Sequence, residues 1–274
     1  MVAALVLAFR EGLEAALILG IVLGVLRRVG RRDQVKVVWL GAGLAALLSI
    51  GAGTGLYALG ISFEGRAEEV FEGLAMLLAA GVLTWMIFWM DKQGRQIQAG
   101  LEQDARRAAT SGGNWAIFSL AFLAVLREGI ELALFLTAAT FTATAAATLL
   151  GGLLGLGLAA LAGWLIFFST ARLDVGAFFR VTSILLIFFA AGLVAHGIHE
   201  LNEARIVPAV VEHVWDTNPV LDENSGGGQI LKALLGYNGN PSLTEVAAYI
   251  SYWIIVLLAL RRRRTQAGSA AAHG

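Results

Sequence analysis

The chain has 274 residues, 58% hydrophobic and 15% charged, with a mean hydropathy of +0.74; soluble domains run nearer half apolar and a quarter charged, so the composition is that of a membrane protein. Lysine plus arginine balance aspartate plus glutamate at 20 each, which gives no basis for a nucleic-acid partner. There is no cysteine, so disulfides, thiolate metal sites, iron–sulfur clusters and cysteine nucleophiles are excluded, and any metal must be held by oxygen or imidazole.

The first residues, MVAALVLAFREG, show no basic stretch before the apolar run and no small-residue cleavage site, and read as a first membrane span rather than a cleaved leader. Apolar stretches near the spanning length of about 20 residues follow at roughly 2–26, 37–60, 70–90, 115–142, 145–168, 179–200 and 245–260. The expected fold is an all-α polytopic membrane protein of seven transmembrane helices. Basic residues set its orientation. Arg27, Arg28, Arg31, Arg32 and Lys36 follow the first span, Lys92, Arg95, Arg106 and Arg107 the third, Arg172 and Arg180 flank the fifth loop, and Arg261–Arg264 open the tail. These alternate segments are placed inside. Glu64, Glu68, Glu69, Glu203, Glu212, Asp216, Asp222 and Glu223 fall in the opposite loops, so the N-terminus is outside and the C-terminus inside. Trp85, Trp89, Trp115, Trp215 and Trp253 read as interfacial anchors. The spacings Gly20/Gly24, Gly51/Gly55 and Gly151/Gly155 read as close-packing faces between helices.

Residues 201–245 form the one long loop, an external cap in which ARIVPAVVEHVW and GQILKALLG read as short amphipathic helices. The whole is one permease domain over 1–260, with a cytoplasmic basic tail at 261–274.

One charged motif occurs twice. AFREGLEAALILG places Arg10, Glu11 and Glu14 in the middle of the first span, and VLREGIELALFLT places Arg127, Glu128 and Glu131 in the middle of the fourth. Three helices separate the copies, so they run in opposite directions. A weaker likeness joins LLAAGVLTW in the third span to FFAAGLVAH in the sixth. The pattern is an inverted repeat of three plus three helices, the first about 1–110 and the second about 111–203, with the seventh added. Transporters built this way hold their sites near the midplane at the repeat interface.

On a helix, residues three and four apart share a face. Arg-Glu-Gly-x-Glu therefore stacks two carboxylates one turn apart with the arginine beside the second, and Gly12 and Gly129 remove bulk next to them. A central charge costs roughly 2.5–3.5 kcal/mol on insertion scales, so six unpaired ones would cost on the order of 15–20 kcal/mol. An arginine–glutamate lock between helices accounts for one glutamate per copy and leaves the other without a role. Four glutamates less two arginines leave a net charge of −2, which a cation completes. Carboxylates select hard ions such as magnesium, calcium, manganese or ferric iron, and protons compete as occupants. The residues alone end at a hard-cation or proton pathway.

Two Arg-Glu-x-x-Glu motifs, in the first and fourth of seven spans, resemble the oxidase-dependent iron permeases, which include fungal high-affinity iron permeases and bacterial Efe-type uptake permeases. The likeness covers about 1–260, and EGLAMLLAAGVLTWMIFWM looks like the bacterial branch. The resemblance implies iron translocation across the plasma (bacterial inner) membrane, with Glu11, Glu14, Glu128 and Glu131 as iron ligands supported by Arg10 and Arg127. It implies a transporter rather than an enzyme, with iron as the transported substrate and no permanently bound cofactor. Fungal members work with a multicopper oxidase. Bacterial members are associated with a periplasmic iron-binding protein and a haem peroxidase. Ferrous or ferric substrate, and a homo-oligomeric state, stay open.

Glu68, Glu69 and Glu72 at the outer start of the third span, with His196, His199, Glu200 and Glu203 at the outer end of the sixth, form a candidate outer vestibule that gathers iron. Asp91 and Lys92 close the third span inside, and Asp174 reads as a helix N-cap. Among rivals, a retinal protein fails because the seventh span, EVAAYISYWIIVLLAL, has no lysine. An intramembrane metal hydrolase would carry histidines beside the acids, and neither motif does. A manganese or magnesium permease is the nearest alternative.

Overall fold

The computed structural model describes residues 1–168, 175–223 and 225–272, with side chains described except at 90–99, 167–168, 175–179, 233 and 263–272. The described chain is helical, without strands. Its elements are α1 (Val2–Arg28), a short 3-10 turn (Arg32–Gln34), α2 (Val35–Ser62), α3 (Arg66–Arg107), a π-helical turn (Ala108–Gly112), α4 (Gly113–Thr142), α5 (Ala145–Phe168), α6 (Val175–Glu203), α7 (Gly226–Leu235) and α8 (Leu243–Ala272). At 1.5 Å per residue, the 28 residues of α2 reach about 42 Å, more than the roughly 30 Å of a bilayer's hydrocarbon core. Among the described residues five stretches are long and apolar enough to cross a membrane: Arg32–Ser62, Arg66–Trp89, Ala145–Ile166, Arg180–Glu203 and Leu243–Arg262. Helices α1 and α4 are as long, at 27 and 30 residues, and are set apart by the three charges each carries halfway along.

Two segments differ from the sequence reading and a third agrees with it. The expected inner loop at 91–109 is helical as far as Arg107, because no proline or capping signal interrupts it. The segment ARIVPAVVEHVW is turns and bends instead of a helix: Pro208 removes a backbone donor, and Arg205 and Val210 take positive φ of 55° and 62°. GQILKALLG does form α7, capped by the Ser225 hydroxyl at one end and by Gly236, at φ 71°, at the other.

Packing divides the chain into two units, Met1–Phe63 with Gly81–Ile187, and Glu64–Ala80 with Phe188–Gly274. In the first, α1 packs on α5 and α4 on α2, so the first helix of each repeat lies against the second helix of the other. The contacts repeat in register. A Cβ at Gly41 would meet Phe118 O and Ala121; at Gly151 it would meet Met1 O and Ala4. Gly129 abuts Ser49, and Gly12 abuts Ala159; Gly53 abuts Ala133, and Gly163 abuts Ala16. Partners on α1 and α4 are 117 positions apart, as the two motifs are, and those on α2 and α5 are 110 apart. The unit is two-fold pseudo-symmetric at the level of single contacts. Gly151 and Gly155 are thus close-packing positions as expected, whereas Gly24, Gly51 and Gly55 have nothing within 4 Å of a built Cβ. A further core joins Val22, Val25 and Leu26 of α1 to Val38, Ala105, Ala109, Ile117 and Ala121, and docks the far end of α3 there.

In the second unit, α3 and α6 cross where Gly73 and Gly197 face each other, Gly73 against Leu201 and Gly197 against Leu77. That crossing is also reciprocal. Of the segments whose likeness the sequence suggested it uses only Leu77; their glycines do not meet, Gly81 having open space and Gly192 lying against Gly236. The segment between α6 and α8 is pinned by Tyr237, whose hydroxyl donates to Leu221 O at 2.7 Å, by Thr217 N donating to Gly239 O at 2.8 Å, and by Asn202, which accepts from the Ser242 hydroxyl at 2.7 Å.

Candidate functional site

The candidate site rests on α1 and α4, where each motif supplies the only charges in the middle of its helix, Arg27 and Arg28 lying at the end of α1. In the first copy the charges are sealed: Arg10 and Glu11 are 0% and 1% exposed, and Glu14 is 13% exposed. Arg10 Nη1 donates to Glu11 Oε1 at 2.8 Å and to Met86 Sδ at 3.1 Å. Its Nη2 lies 3.2 Å from Glu14 Oε1, an ion-pair distance outside hydrogen-bond geometry. The arginine therefore holds both acids of its own motif, the neighbour as well as the one a turn away.

The second copy is paired differently. Arg127 is 41% exposed; its Nε donates to Glu131 Oε1 at 3.0 Å and stands 4.0 Å from Glu128 Oε1. The guanidinium lies 4.6 Å from the centre of the Trp89 ring, a cation–π contact.

Between the helices three carboxylates meet. One oxygen each of Glu11, Glu128 and Glu131 lies within 4.8 Å of the others. Any such triangle contains a point no more than about 2.8 Å from all three atoms, close to the oxygen–cation distances of about 2.0–2.6 Å for hard divalent ions. Glu11 Oε2, Glu128 Oε2 and Glu131 Oε2 are buried with no hydrogen-bond partner among the described residues. Buried acceptors in this state are uncommon, because each forfeits its hydration without replacement. A cation, or protons shared between the acids, would supply what they lack.

Of the four glutamates the sequence singled out, the structure gathers three. Glu14 stands one turn along α1, drawn toward Arg10 on the same face, and within electrostatic reach of Glu131 and Arg127. Gly12 and Gly129 admit a neighbouring helix rather than an ion: α5 through Ala159 and α2 through Ser49.

The residues expected to form an outer vestibule lie in the second unit, where no metal-spaced group forms among the described residues. Glu72 is within electrostatic reach of Glu200 and Glu68, and Glu200 of Glu69. His196 is 6% exposed, its Nδ1 3.0 Å from Gly192 O and its Nε2 without a partner among the described residues. His199 is committed: Nδ1 is 3.0 Å from Glu245 Oε1, and Nε2 is 3.4 Å from Glu203 Oε1. Glu245 was not anticipated. It accepts from Ser242 N at 3.0 Å while its own N–H donates to Ser242 Oγ at 3.2 Å, a reciprocal cap on α8. The spacing Ser-Leu-Thr-Glu is the signal that identifies it. Nothing in the sequence points to Met86 or to Trp89 as partners of the arginines. In the segment between α6 and α8, Asp216 Oδ1 accepts from Asn218 N and Glu223 Oε2 from Gly239 N, so these acids brace the loop. Asp91 and Lys92 lie outside the described side chains, and Arg172 and Asp174 outside the described residues.

Comparison with known proteins places these features. The model of the iron permease FTR1 family matches residues 1–270. A ferrous iron permease EfeU of Escherichia coli O6:K15:H31 is 38% identical over 252 residues, 91% of either chain. A ferrous iron permease EfeU of Yersinia pestis is 36% identical over 268 residues, 96% of this chain and 95% of its own. No solved structure matches. With a family match over nearly its whole length, relatives at this identity, and several helices built to cross a bilayer, the chain belongs to the iron permease FTR1 family: it is a multi-pass permease of the plasma membrane, not an enzyme.

Proposed function

We propose that the permease carries ferrous iron inward, and that Glu11, Glu128 and Glu131 hold the ion midway. The observation that supports this most directly is the convergence of three carboxylates from both motif copies, with an unpartnered buried oxygen on each. Glu14, kept beside them by Arg10, is the next acceptor on the inward side. Arg10 and Arg127 restrain the acids and limit their mutual repulsion when no ion is present. The net charge of −2 for the six residues is balanced by a divalent ion, in keeping with the ferrous substrate named for both relatives.

On this reading α1 to α6 and α8 are the seven crossings, with the N-terminus outside. The reciprocal glycine contacts support an inverted three-plus-three repeat, and basic Arg27, Arg28, Arg31 and Arg32 after α1 mark the inner face. Glu68, Glu69, Glu72, His196, His199, Glu200 and Glu203 gather iron outside, and the external segment is where an iron-binding protein or an oxidase or peroxidase would meet the permease. No resident cofactor is needed; iron is cargo.

Iron-55 uptake by cells expressing the full chain tests the central site. Glu11→Gln, Glu128→Gln and Glu131→Gln keep the shape and remove the charge; each inserts normally and loses uptake. Retained uptake in all three refutes the site. Manganese or magnesium competing as well as iron would transfer the same site to the alternative substrate. Glu200→Ala lowers uptake only at limiting iron if the outer residues gather the ion.

A further inference from the structure

Beyond the carboxylates, α1 borders a cavity of about 300 Å³ in the first unit. It is lined along one face of α1 by Leu17, Gly20, Gly24 and Arg28, by Gly163 of α5 and by Glu102 of α3. The cavity starts one turn past Glu14 and ends at the last turn of α1, a distance of some 11 residues or about 16 Å at helical rise. Its far end is crossed by an ion pair. Arg28 Nη1 donates to Glu102 Oε1 at 3.1 Å, and Arg106 Nη2 donates to the same oxygen at 2.9 Å. The hydrogen bond from Arg106, with the Arg106 and Arg28 charges, holds the Glu102 carboxyl below the usual range, so the cluster stays ionised. Burial of Ala105 and Ala109 in the core on α1 fixes the part of α3 that carries Glu102.

The pseudo-symmetry makes this cavity one-sided. The positions 117 residues on from Gly20 and Gly24 are Thr137 and Phe141, and Thr137 is 6% exposed. Where α1 leaves room, α4 fills it. Residue size fixes this difference, so the open half lies on the α1 side.

We propose that this groove is the inner half of the iron route and that Glu102, held between Arg28 and Arg106, is the latch at its mouth. The proposal rests on the reading of Glu11, Glu14, Glu128 and Glu131 as the ion's midway site and on α1 ending inside. Gly20 and Gly24, which add no side chain on that face of α1, leave width for a hydrated cation, Gly24 with nothing within 4 Å of a built Cβ. With the latch closed, two arginines flank the mouth and oppose a cation; when it parts, Glu102 is free to accept the ion on its way out.

The absence of native cysteine makes the test direct. Gly24→Cys places a thiol where a built Cβ meets nothing within 4 Å. In the full chain, a membrane-impermeant maleimide labels this thiol in inside-out vesicles and not in right-side-out ones. Adding Glu102→Gln removes both ion pairs and raises the labelling rate about 1.5- to 5-fold, the population shift an exposed pair supplies. Gly24→Phe, the residue of the α4 counterpart, fills the groove and stops uptake while iron binding persists. Labelling from neither face, labelling from the outer face, an unchanged rate in Glu102→Gln, or full uptake in Gly24→Phe each overturns the proposal. The labelling does not depend on the cargo. If the groove labels as expected but Glu11→Gln still transports iron, the midway site fails and the groove stands; if Glu11→Gln abolishes uptake and the thiol never labels, the reverse holds.

Discussion

Gly129→Ala tests whether the carboxylate site depends on how closely α2 and α4 approach. The new methyl would fall on the Ser49 hydroxyl, and 2.6 Å from Ser49 Cβ. Real Cβ contacts do not come that near, and Ser49 is itself buried at 7% exposure with its hydroxyl donating to Ala45 O at 2.9 Å. It has nowhere to move. Overpacking of this kind costs about 1–3 kcal/mol, set against a gain of about 0.5–1 kcal/mol from replacing a helical glycine. The clash wins, and the variant loses about 0–2.5 kcal/mol net, with Glu128 and Glu131 displaced from Glu11. Gly51→Ala, on an exposed face of α2 with nothing within 4 Å, receives the propensity gain without the clash and is the matched control. Gly129→Ala with Ser49→Gly moves the methyl across the interface and restores the fit. Thermal unfolding of the detergent-solubilised protein, read beside iron-55 uptake, measures all of them. The expected order of stability is Gly51→Ala at or above wild type, the double variant near it, and Gly129→Ala below. A Gly129→Ala protein as stable and active as Gly51→Ala refutes the close approach, and so does a double variant no better than the single.

Arg10→Leu leaves Glu11 and Glu14 buried without their cation and should cost about 3–5 kcal/mol, enough to deplete folded protein in the membrane. Arg127→Leu strands Glu131 as well, but gives up an arginine that is 41% exposed and makes one hydrogen bond, so it should cost less, about 1–3 kcal/mol; equal yields of the two on size-exclusion chromatography would contradict the difference in burial. Glu245→Ala removes the reciprocal cap of α8 together with the partners of His199 and Asn238, and should lower the melting temperature by an amount matching about 1–2 kcal/mol. Gly236→Ala meets both a positive φ of 71° and the backbone of Gly192, so it should destabilise the second unit more than Glu245→Ala does, as amide exchange on α7 would report.

Helices and charges were legible because both follow from local rules. An apolar run of 20 residues announces itself, and a triad of charges inside one stands out against it. The contact symmetry was not legible, although it is regular. The two repeats run 117 residues apart along α1 and α4 but 110 apart along α2 and α5, because the chain from the motif to the next helix's contacts is seven residues longer in the first copy: Arg10 to Gly41 spans 31 positions and Arg127 to Gly151 spans 24. A constant offset therefore aligns the motifs and misses the glycines. For α3 and α6, LLAAG and FFAAG drew the eye to Gly81 and Gly192, while the crossing uses Gly73 and Gly197. Composition cannot say which glycine a neighbour touches. Glu14 shows the same limit at the site: spacing puts it on the face of Glu11, but whether an acid turns to its own arginine or to the facing helix is a matter of side-chain reach.

The duplication of the motif follows from the geometry of the trio. One copy on one helix offers two carboxylates a turn apart, and in α1 its arginine takes both of them. In α4 the arginine takes chiefly Glu131, by one oxygen. Neither copy alone can present three acceptors to one point. Helices α1 and α4, each packed through glycine contacts on the second helix of the other repeat, supply one carboxylate from the first and two from the second. An ion-pair lock would need only the arginines and one glutamate each, whereas here all four motif glutamates keep one buried oxygen without a hydrogen-bond partner, Glu14 its Oε1 and the other three their Oε2. The unequal pairing of the two arginines has a consequence for transport. The sealed Arg10 cannot leave without stranding two acids, whereas Arg127, half exposed on Trp89, can shift while its charge stays solvated. Release of the ion is therefore expected to involve movement of the second motif against a fixed first one, and Arg127→Lys, which keeps the charge but loses the planar contact with Trp89, should change the rate of turnover more than iron affinity. A variant that binds iron more weakly but turns over at the normal rate would show that Arg127 only tunes the site.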